Sequence, residues 1–180
     1  MGLRPDLIFI PSYELEAAAL MTKLVPRLPK EVVYLGPDSW GGGRALRGVL
    51  SSLRLSPRAY YVEHWSREHR APGNAQFLKN LKAISLSFLG DQTIEAWLLQ
   101  PENRGTSLSG VALGYDAGLA VLQAFKFREN LKLSWVDALK TLSFEGVTGR
   151  IKYKKGPTPE RGLFIYSLEE NTEKFVKAFK

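Results

Sequence analysis

The sequence contains no cysteine and only two histidines among its 180 residues. The absence of cysteine excludes disulfides, thiol catalysis and cysteine-ligated zinc, and it leaves the cellular compartment open. The histidines, His64 and His69, are five positions apart, a spacing that does not stack them on one helical face. With no cysteine beside them they do not predict a zinc site, and neither a metal nor a cofactor is expected.

Long apolar runs are also missing. No uninterrupted apolar stretch approaches the ~20 residues needed to span a bilayer. The longest candidate, residues 14–24, is broken by Glu16, Thr22 and Lys23. The sequence therefore predicts no membrane span. Its first residues hold no basic leader, apolar segment and cleavage site, so we expect no signal peptide in this chain.

The charge of the chain is basic, with a formal net charge of +7 at pH 7. Such a balance is compatible with a polyanionic partner, because contacts to phosphates drive nonspecific nucleic-acid binding. The basic residues are spread over several separate segments, however, which favours a solvated basic surface and no nucleic-acid partner. A hydrophobic fraction of 44% and a charged fraction of 24% are typical of an ordinary globular protein.

The first hundred residues alternate strand and helix signals. Strands and helices are predicted in turn over residues 6–10, 13–24, 31–35, 44–53, 59–63 and 74–81. Ser12 is expected to cap the first helix, with Glu14 and Glu16 in its positive first turn. Continuous apolar strands separated by helices are typical of a parallel sheet covered on both faces. The predicted fold class is therefore α/β, a doubly wound parallel-sheet lobe.

The second half of the chain is less regular. Residues 111–127 predict a helix that is apolar nearly all round, a pattern typical of a helix buried between layers. Ser134 is expected to cap a short helix over residues 135–142, and residues 163–166 predict a strand. The last segment, residues 171–179, is compatible with either a helix or a strand.

Polar and aromatic side chains follow the first two predicted strands. Tyr13 closes the first strand, in Ile10-Pro-Ser-Tyr13, and Asp38 closes the second, in Leu35-Gly-Pro-Asp38-Ser-Trp40. Open α/β sheets bind ligands outside the carboxyl ends of their strands, so Tyr13 and Asp38 are expected to face one crevice. An ionised Asp suits an ammonium group, and a Tyr offers a ring and a hydroxyl. The alternative is structural, since an Asp after Gly-Pro is common in turns and a Tyr at a helix start often packs.

A run of glycines, Gly41-Gly-Gly43, precedes the helix predicted over residues 44–53. Exposed amides at such a place, with Arg44 beside them, are compatible with phosphate binding. The run lacks the Gly-Lys-Ser/Thr ending of a nucleotide loop and the glycine spacing of a dinucleotide site, which favours a flexible turn. No Gly-x-Ser-x-Gly elbow is present, and no enzyme activity is expected.

Four segments, in order, resemble the branched-chain amino-acid-binding proteins of ABC transporters, which are type I periplasmic binding proteins. They are Pro5-Asp-Leu-Ile-Phe-Ile-Pro-Ser-Tyr13, Leu35-Gly-Pro-Asp-Ser-Trp40, Ala112-Leu-Gly-Tyr-Asp-Ala117 and Phe144-Glu-Gly-Val-Thr-Gly149. The resemblance covers the carboxy-terminal half of the family pattern and implies two α/β lobes that close on a small ligand. It implies that residues 1–105 belong to the second lobe, residues 106–154 to the first lobe, and residues 155–180 again to the second.

The resemblance also implies the ligand and the partners. Asp38 matches the acidic residue that holds the α-ammonium of an amino acid or related amide, Tyr13 lines the same side, and Trp40 follows in the same pattern. The parent protein is expected to be periplasmic or extracytoplasmic and to serve an ABC permease. The ligand side chain is not predicted, because the first-lobe part of the pattern is absent. Two alternatives stay open: a sensing domain of this fold in a regulatory protein, and a cytoplasmic α/β protein that binds phosphate or nucleic acid through residues 41–47.

Overall fold

The structure, a computed structural model, describes residues 4–41, 44–87, 90–100, 108–153, 158–168 and 173–179. The strands among these residues are β1 (Leu7–Phe9), β2 (Val33–Gly36), β3 (Arg58–Glu63), β4 (Ser85–Leu86), β5 (Gln92–Thr93), β6 (Ser143–Gly146), β7 (Gly149–Lys152), β8 (Leu163–Leu168) and β9 (Glu173–Phe179). The α-helices are α1 (Glu14–Leu24), α2 (Arg44–Ser52), α3 (Pro72–Ala83), α4 (Ile94–Leu99), α5 (Leu108–Leu131) and α6 (Trp135–Lys140). Two 3-10 turns, Val25–Arg27 and Asp38–Trp40, complete the regular structure described.

The chain divides into two compact units. The first contains Met1–Glu63 and Phe164–Ala178, and the second contains His64–Leu163 and Phe179–Lys180. This division follows contacts within the chain. The lobes predicted over residues 1–105, 106–154 and 155–180 refer to a complete two-lobed protein, so they stay a prediction.

The first unit is built on a five-stranded sheet in the order β1-β2-β3-β8-β9. Strands β1, β2 and β3 are parallel, with Phe9 opposite Leu35 and Leu35 opposite Tyr60, while β8 runs antiparallel to β3. Beyond the end of β1, the amide of Ile10 donates to the carbonyl of Leu35 at 2.9 Å. The parallel register therefore brings the carboxyl ends of β1 and β2 to one edge of the sheet.

Helices α1 and α2 pack against one face of this sheet. Alternate residues of the parallel strands, such as Ile10, Tyr34 and Tyr61, point into the core, and the helices contribute their own apolar side chains there. The members of this core are Ile10, Ala17, Ala18, Met21, Val32, Tyr34, Trp40, Leu46, Leu50, Ala59, Tyr61 and Leu168. On the other face of the edge strand β1, Leu7 and Phe9 are more than half exposed. The helices of this unit thus cover one face of its sheet.

The second unit combines helices with short β ladders. The hairpin of β6 and β7 packs against α5 and α6, through a core that joins Ala124, Ala138, Leu142 and Ile151. A second core forms where α3 meets the first part of α5, around Trp65, Phe77, Leu81, Ala112 and Val147. Strands β4 and β5 form a separate two-stranded ladder.

Two helix caps were predicted from the sequence, and the structure confirms one of them. Ser134 caps α6 as predicted, because its hydroxyl oxygen accepts from the amide of Asp137 at 3.1 Å. Ser12 does not cap α1: Tyr13 holds the cap position, and no side chain bonds there. The carbonyl of Ser12 is engaged by the neighbouring loop instead, so the cap prediction for Ser12 was wrong.

Helix α5 also differs from its prediction. Its buried side carries small residues and one acid, namely Ser109, Ala112, Asp116, Ala120 and Ala124. Its outward side carries large apolar residues that remain exposed, among them Val121, Leu122 and Phe125. Within the described part of the chain, the helix is therefore buried along one side only.

Among the described residues, α5 is the one helix long and apolar enough to cross a membrane. The sequence prediction of no span rested on uninterrupted apolar runs, and Asp116 interrupts this one. Core helices of globular proteins have the same length and composition, so these two properties alone do not make a span. Asp116 is buried and hydrogen-bonded within the second unit.

Candidate functional site

The candidate site lies at the carboxyl edge of the parallel strands in the first unit. The loop after β1 presents Tyr13, whose side chain is 75% exposed. The loop after β2 presents Asp38 as the first residue of a 3-10 turn, and this residue is also exposed. The turn is closed by the amide of Gly41, which donates to the carbonyl of Asp38 at 2.8 Å. The two predicted ligand residues thus stand on neighbouring loops at the same edge.

Trp40 has a different position from the other two predicted site residues. Its side chain is completely buried and belongs to the core of the first unit. The ring lies on Gly36, where a Cβ atom would overlap it. Trp40 therefore offers no exposed surface to a ligand in this structure, and it contributes to the site by supporting the loop that carries Asp38.

The two loops are joined by hydrogen bonds to a single carbonyl. The indole Nε1–H of Trp40 donates to the carbonyl oxygen of Ser12 at 3.1 Å. The hydroxyl of Ser39 donates to the same oxygen, also at 3.1 Å. Because Ser12 directly precedes Tyr13 and Ser39 directly follows Asp38, these bonds fix the backbone of one loop against that of the other.

A third link comes from Glu14. Its Oε2 atom accepts from the backbone amides of Ala45 and Leu46, at 3.1 and 3.3 Å. These amides lie in the first turn of α2, where N–H groups have no partner inside the helix. Glu14 lies in the first turn of its own helix, as predicted, and its carboxylate also satisfies and neutralises the first turn of α2.

This arrangement bears on the phosphate-binding alternative. Gly42 and Gly43 of the predicted glycine turn lie outside the described residues. Where the structure does describe the start of α2, its amides are bonded to a carboxylate, and Arg47 forms an ion pair with Glu173 at 3.6 Å. A negative charge already held at the helix start opposes a phosphate, so the geometry does not favour that alternative.

A second carboxylate lies beneath the loop after β2. Glu63, the last residue of β3, is only 6% exposed. Its carboxylate lies so close to Gly41 that a Cβ atom there would overlap it. Sequence reasoning missed both Glu63 and Glu14. The only signal for Glu63 was a charged residue at the end of an otherwise apolar strand, and nothing in the sequence indicated that Glu14 reaches α2.

The two histidines lie in the second unit, in the segment that follows β3. Buried Asn74 organises this segment: its amide group donates to the carbonyl of His69 at 2.7 Å and accepts from the indole of Trp65 at 2.8 Å. Among the described residues, no cluster of three His, Asp or Glu side chains is placed to hold a metal ion.

Two of the family-like segments meet in the second unit. The buried carboxylate of Asp116 accepts from the amides of Val147 and Thr148, at 2.7 and 2.9 Å, and from the Thr148 hydroxyl at 2.6 Å. Every polar contact in this group is internal and buried. The Tyr-Asp-Ala and Gly-Val-Thr-Gly segments therefore join α5 to the hairpin turn.

Solved structures with a similar backbone are substrate-binding proteins. A leucine-binding protein from Thermotoga maritima superposes with a TM-score of 0.61 and 17% identity, over 97% of this chain and 44% of its own. A branched-chain amino-acid transporter substrate-binding protein from Streptococcus pneumoniae, in complex with isoleucine, gives 0.58 and 18%, over 95% and 44%. An ABC-transporter solute-binding protein from R. palustris, in complex with benzoate, gives 0.59 and 16%, over 97% and 43%. No protein-family model matches the sequence, and no curated protein matches it.

These likenesses show the fold. The chain is a mixed α/β protein with a sheet containing parallel strands, and its fold is that of type I periplasmic binding proteins. The prediction of fold class is confirmed. The chain spans less than half of the length of the solved structures it matches.

Proposed function

Starting from the type I periplasmic binding protein fold, we propose that this chain forms part of a solute-binding protein for an amino acid or a related amide. One observation carries the proposal. Asp38 and Tyr13 are both exposed, and they lie on two loops that are hydrogen-bonded to each other at the carboxyl edge of the sheet. The protein binds and releases its ligand without chemical change, and it is not an enzyme. The branched-chain class is the first to test, since two of the similar structures are named for leucine or branched-chain transport.

Each residue has a distinct role in this proposal. The carboxylate of Asp38 accepts hydrogen bonds from the ligand ammonium, an interaction strengthened by the opposite charges. The ring of Tyr13 forms a wall beside it. Trp40 does not touch the ligand: together with Ser12 and Ser39 it holds the two loops in place.

The opposite side of the ligand is supplied by a first lobe. This chain matches less than half of the length of each similar structure, so those proteins are more than twice as long as the matched part. We propose that residues 1–105 and 155–180 belong to the second lobe of the complete protein, and residues 106–154 to the first. Closure of two lobes on a ligand removes water from its polar groups, which is how proteins of this kind gain affinity.

The proposed partner is an ABC permease, and the proposed location of the complete protein is extracytoplasmic. The partner is suggested by a similar structure named as the solute-binding protein of an ABC transporter, and the location is suggested by the fold, which is that of periplasmic binding proteins. A sensing domain of the same fold would use the same site and would differ in the domain to which it passes the signal.

Calorimetric titration of the chain together with its first lobe tests the proposal. L-leucine, L-isoleucine and 4-methylpentanoate, which is leucine without its ammonium group, serve as probes. We expect binding of an amino acid, no binding of 4-methylpentanoate, and a roughly ten- to hundredfold weaker Kd in Asp38→Ala, the range expected for a lost charge-assisted hydrogen bond.

Asp6→Ala is the matched control, because Asp6 is an exposed carboxylate at the opposite end of β1. Its Kd should equal that of the wild type. Equal affinities in the wild type and Asp38→Ala would disprove the role of Asp38. Failure of the wild type to bind any α-amino acid would disprove the proposed function.

A further inference from the structure

Tyr13 is held on both sides by groups that bond to the loop and helix after β2. On its amino-terminal side, the carbonyl of Ser12 accepts from Ser39 and Trp40. On its carboxy-terminal side, the carboxylate of Glu14 accepts from the amides of Ala45 and Leu46. Tyr13 itself donates and accepts no side-chain bond at its helix cap, and its ring points into solvent. The backbone of Tyr13 is thus held through its two neighbours in sequence.

We propose that Glu14 is a positioning residue for the ligand site: it acts as a built-in anion at the start of α2 and so holds Tyr13 beside the turn of Asp38. The role in ligand binding rests on the proposed function above, whereas the link itself can be tested without any ligand. A nine-residue helix such as α2 leaves its first amides without internal partners, and a carboxylate can accept from them while its charge complements the helix dipole.

The neighbouring charges decide which kind of ligand group this edge accepts. The buried carboxylate of Glu63 lies beside Gly41. Gly41 belongs to the loop that carries Asp38. With Glu14 on the amides of α2, the helix end that would otherwise attract an anion is already neutralised. The ligand carboxylate is therefore bound elsewhere, and the edge that carries Asp38 accepts the cationic end.

The link can be measured on the chain as it is, by hydrogen exchange with and without added acetate. In Glu14→Ala we expect the amides of Ala45 and Leu46 to exchange about five- to tenfold faster, the loss expected for removal of a helix cap. We also expect the indole N–H resonance of Trp40 to shift, because the loop that contains its acceptor loses an anchor.

Acetate at about 100 mM should restore slow exchange in Glu14→Ala, because it replaces the missing carboxylate at the helix start. If the Glu14 side chain acted only by packing, acetate would not restore slow exchange. Inorganic phosphate should slow the same amides in Glu14→Ala and leave the wild type unchanged. Glu16→Ala is the control, since Glu16 is an exposed carboxylate in the same first turn of α1.

The outcomes separate the two proposals. Exchange in Glu14→Ala that equals that of Glu16→Ala, or that does not respond to acetate, overturns the role of Glu14. If the complete wild-type protein binds an amino acid, Glu14→Ala should weaken the Kd for L-leucine about tenfold while the preference over 4-methylpentanoate is kept. If it binds none, the proposed function fails, and the acetate experiment still decides whether Glu14 holds the loops.

Discussion

The indole of Trp40 occupies the space that a side chain at position 36 would need. Gly36 ends β2, and a Cβ atom there would overlap the ring. The ring in turn donates its N–H to the loop that carries Tyr13. One glycine therefore allows the packing that joins the two halves of the candidate site.

A pair of glycine substitutions tests this packing. Gly36→Ala should lower the free energy of unfolding by about 1–3 kcal/mol, because the buried ring must move. Gly48→Ala should raise it by roughly 0.5–1 kcal/mol, since Gly48 lies within α2 with open space around it and alanine favours the helix. Urea unfolding measures both changes. Equal effects of the two substitutions would contradict the contact between Gly36 and Trp40.

Tyr61 is a buried residue whose ionisation depends on its surroundings. Burial, followed by the neighbouring carboxylate of Glu173, raises its pKa far above the ordinary value of 10.0. The folded protein therefore keeps this hydroxyl protonated at a pH where the unfolded chain has lost the proton. Stability from this group is complete below about pH 10 and decreases above it, by about 1.4 kcal/mol per pH unit.

Alkaline unfolding curves check this dependence. We expect the free energy of unfolding to fall above pH 10 in the wild type and to fall less steeply in Tyr61→Phe, which cannot ionise. Tyr60→Phe is the control, because it removes a hydroxyl from the same strand. An equally steep fall in Tyr61→Phe and the wild type would show that Tyr61 is not responsible.

Among the elements, α5 and the β6–β7 hairpin depend on one buried acid. Asp116 bonds to two amides and a hydroxyl at the hairpin turn, and its carboxylate covers Gly146 so closely that a Cβ atom there would overlap it. Gly149, three positions after Gly146, has a φ of 109°, which only glycine adopts readily. The Gly-Val-Thr-Gly segment is thus shaped by its turn and by the acid beneath it.

Asp116→Asn should lower the free energy of unfolding of the second unit by about 2–4 kcal/mol, because an amide cannot accept all of these bonds at full strength. Glu145→Gln is the control, since Glu145 lies in the same hairpin and is exposed. Thermal unfolding measures both. A loss for Asp116→Asn below about 0.5 kcal/mol, the size of an ordinary surface change, would contradict this account.

At the scale of the whole molecule, the exposed face of α5 and α6 stands out. Its large apolar residues are exposed in this chain, namely Val121, Leu122 and Phe125 on α5 and, on α6, Trp135, whose ring lies 6.2 Å from that of Phe125. The charged residues of α5 are confined to its carboxy-terminal half, apart from Asp116. An exposed apolar face of this kind favours association.

The chain by itself is therefore expected to self-associate. Leu122→Lys combined with Phe125→Lys should shift the protein towards monomer in sedimentation velocity at about 0.1 mM, because two charges now oppose burial of the face. Glu129→Lys, an exposed position on the same helix, should leave the distribution unchanged. A wild-type chain that stays monomeric and melts in one sharp transition would contradict this prediction.

The order and type of the elements from β1 to α3 followed from the sequence. Apolar runs and helix periodicity are local properties, so β1, α1, β2, α2, β3 and α3 were predicted within a few residues. The same holds for the Ser134 cap, which needs only a residue three positions away. The end of the chain was ambiguous by pattern, and pairing within the sheet decided that residues 173–179 form a strand.

Tertiary structure alone decided how the candidate site is held together. The position of Tyr13 and Asp38 at one sheet edge was predictable, because parallel strands place their carboxyl ends together. The bond from Trp40 to Ser12, the reach of Glu14 to α2 and the burial of Glu63 join residues about 20–30 positions apart. No local pattern encodes such contacts, since they exist only once the sheet has brought the two loops side by side.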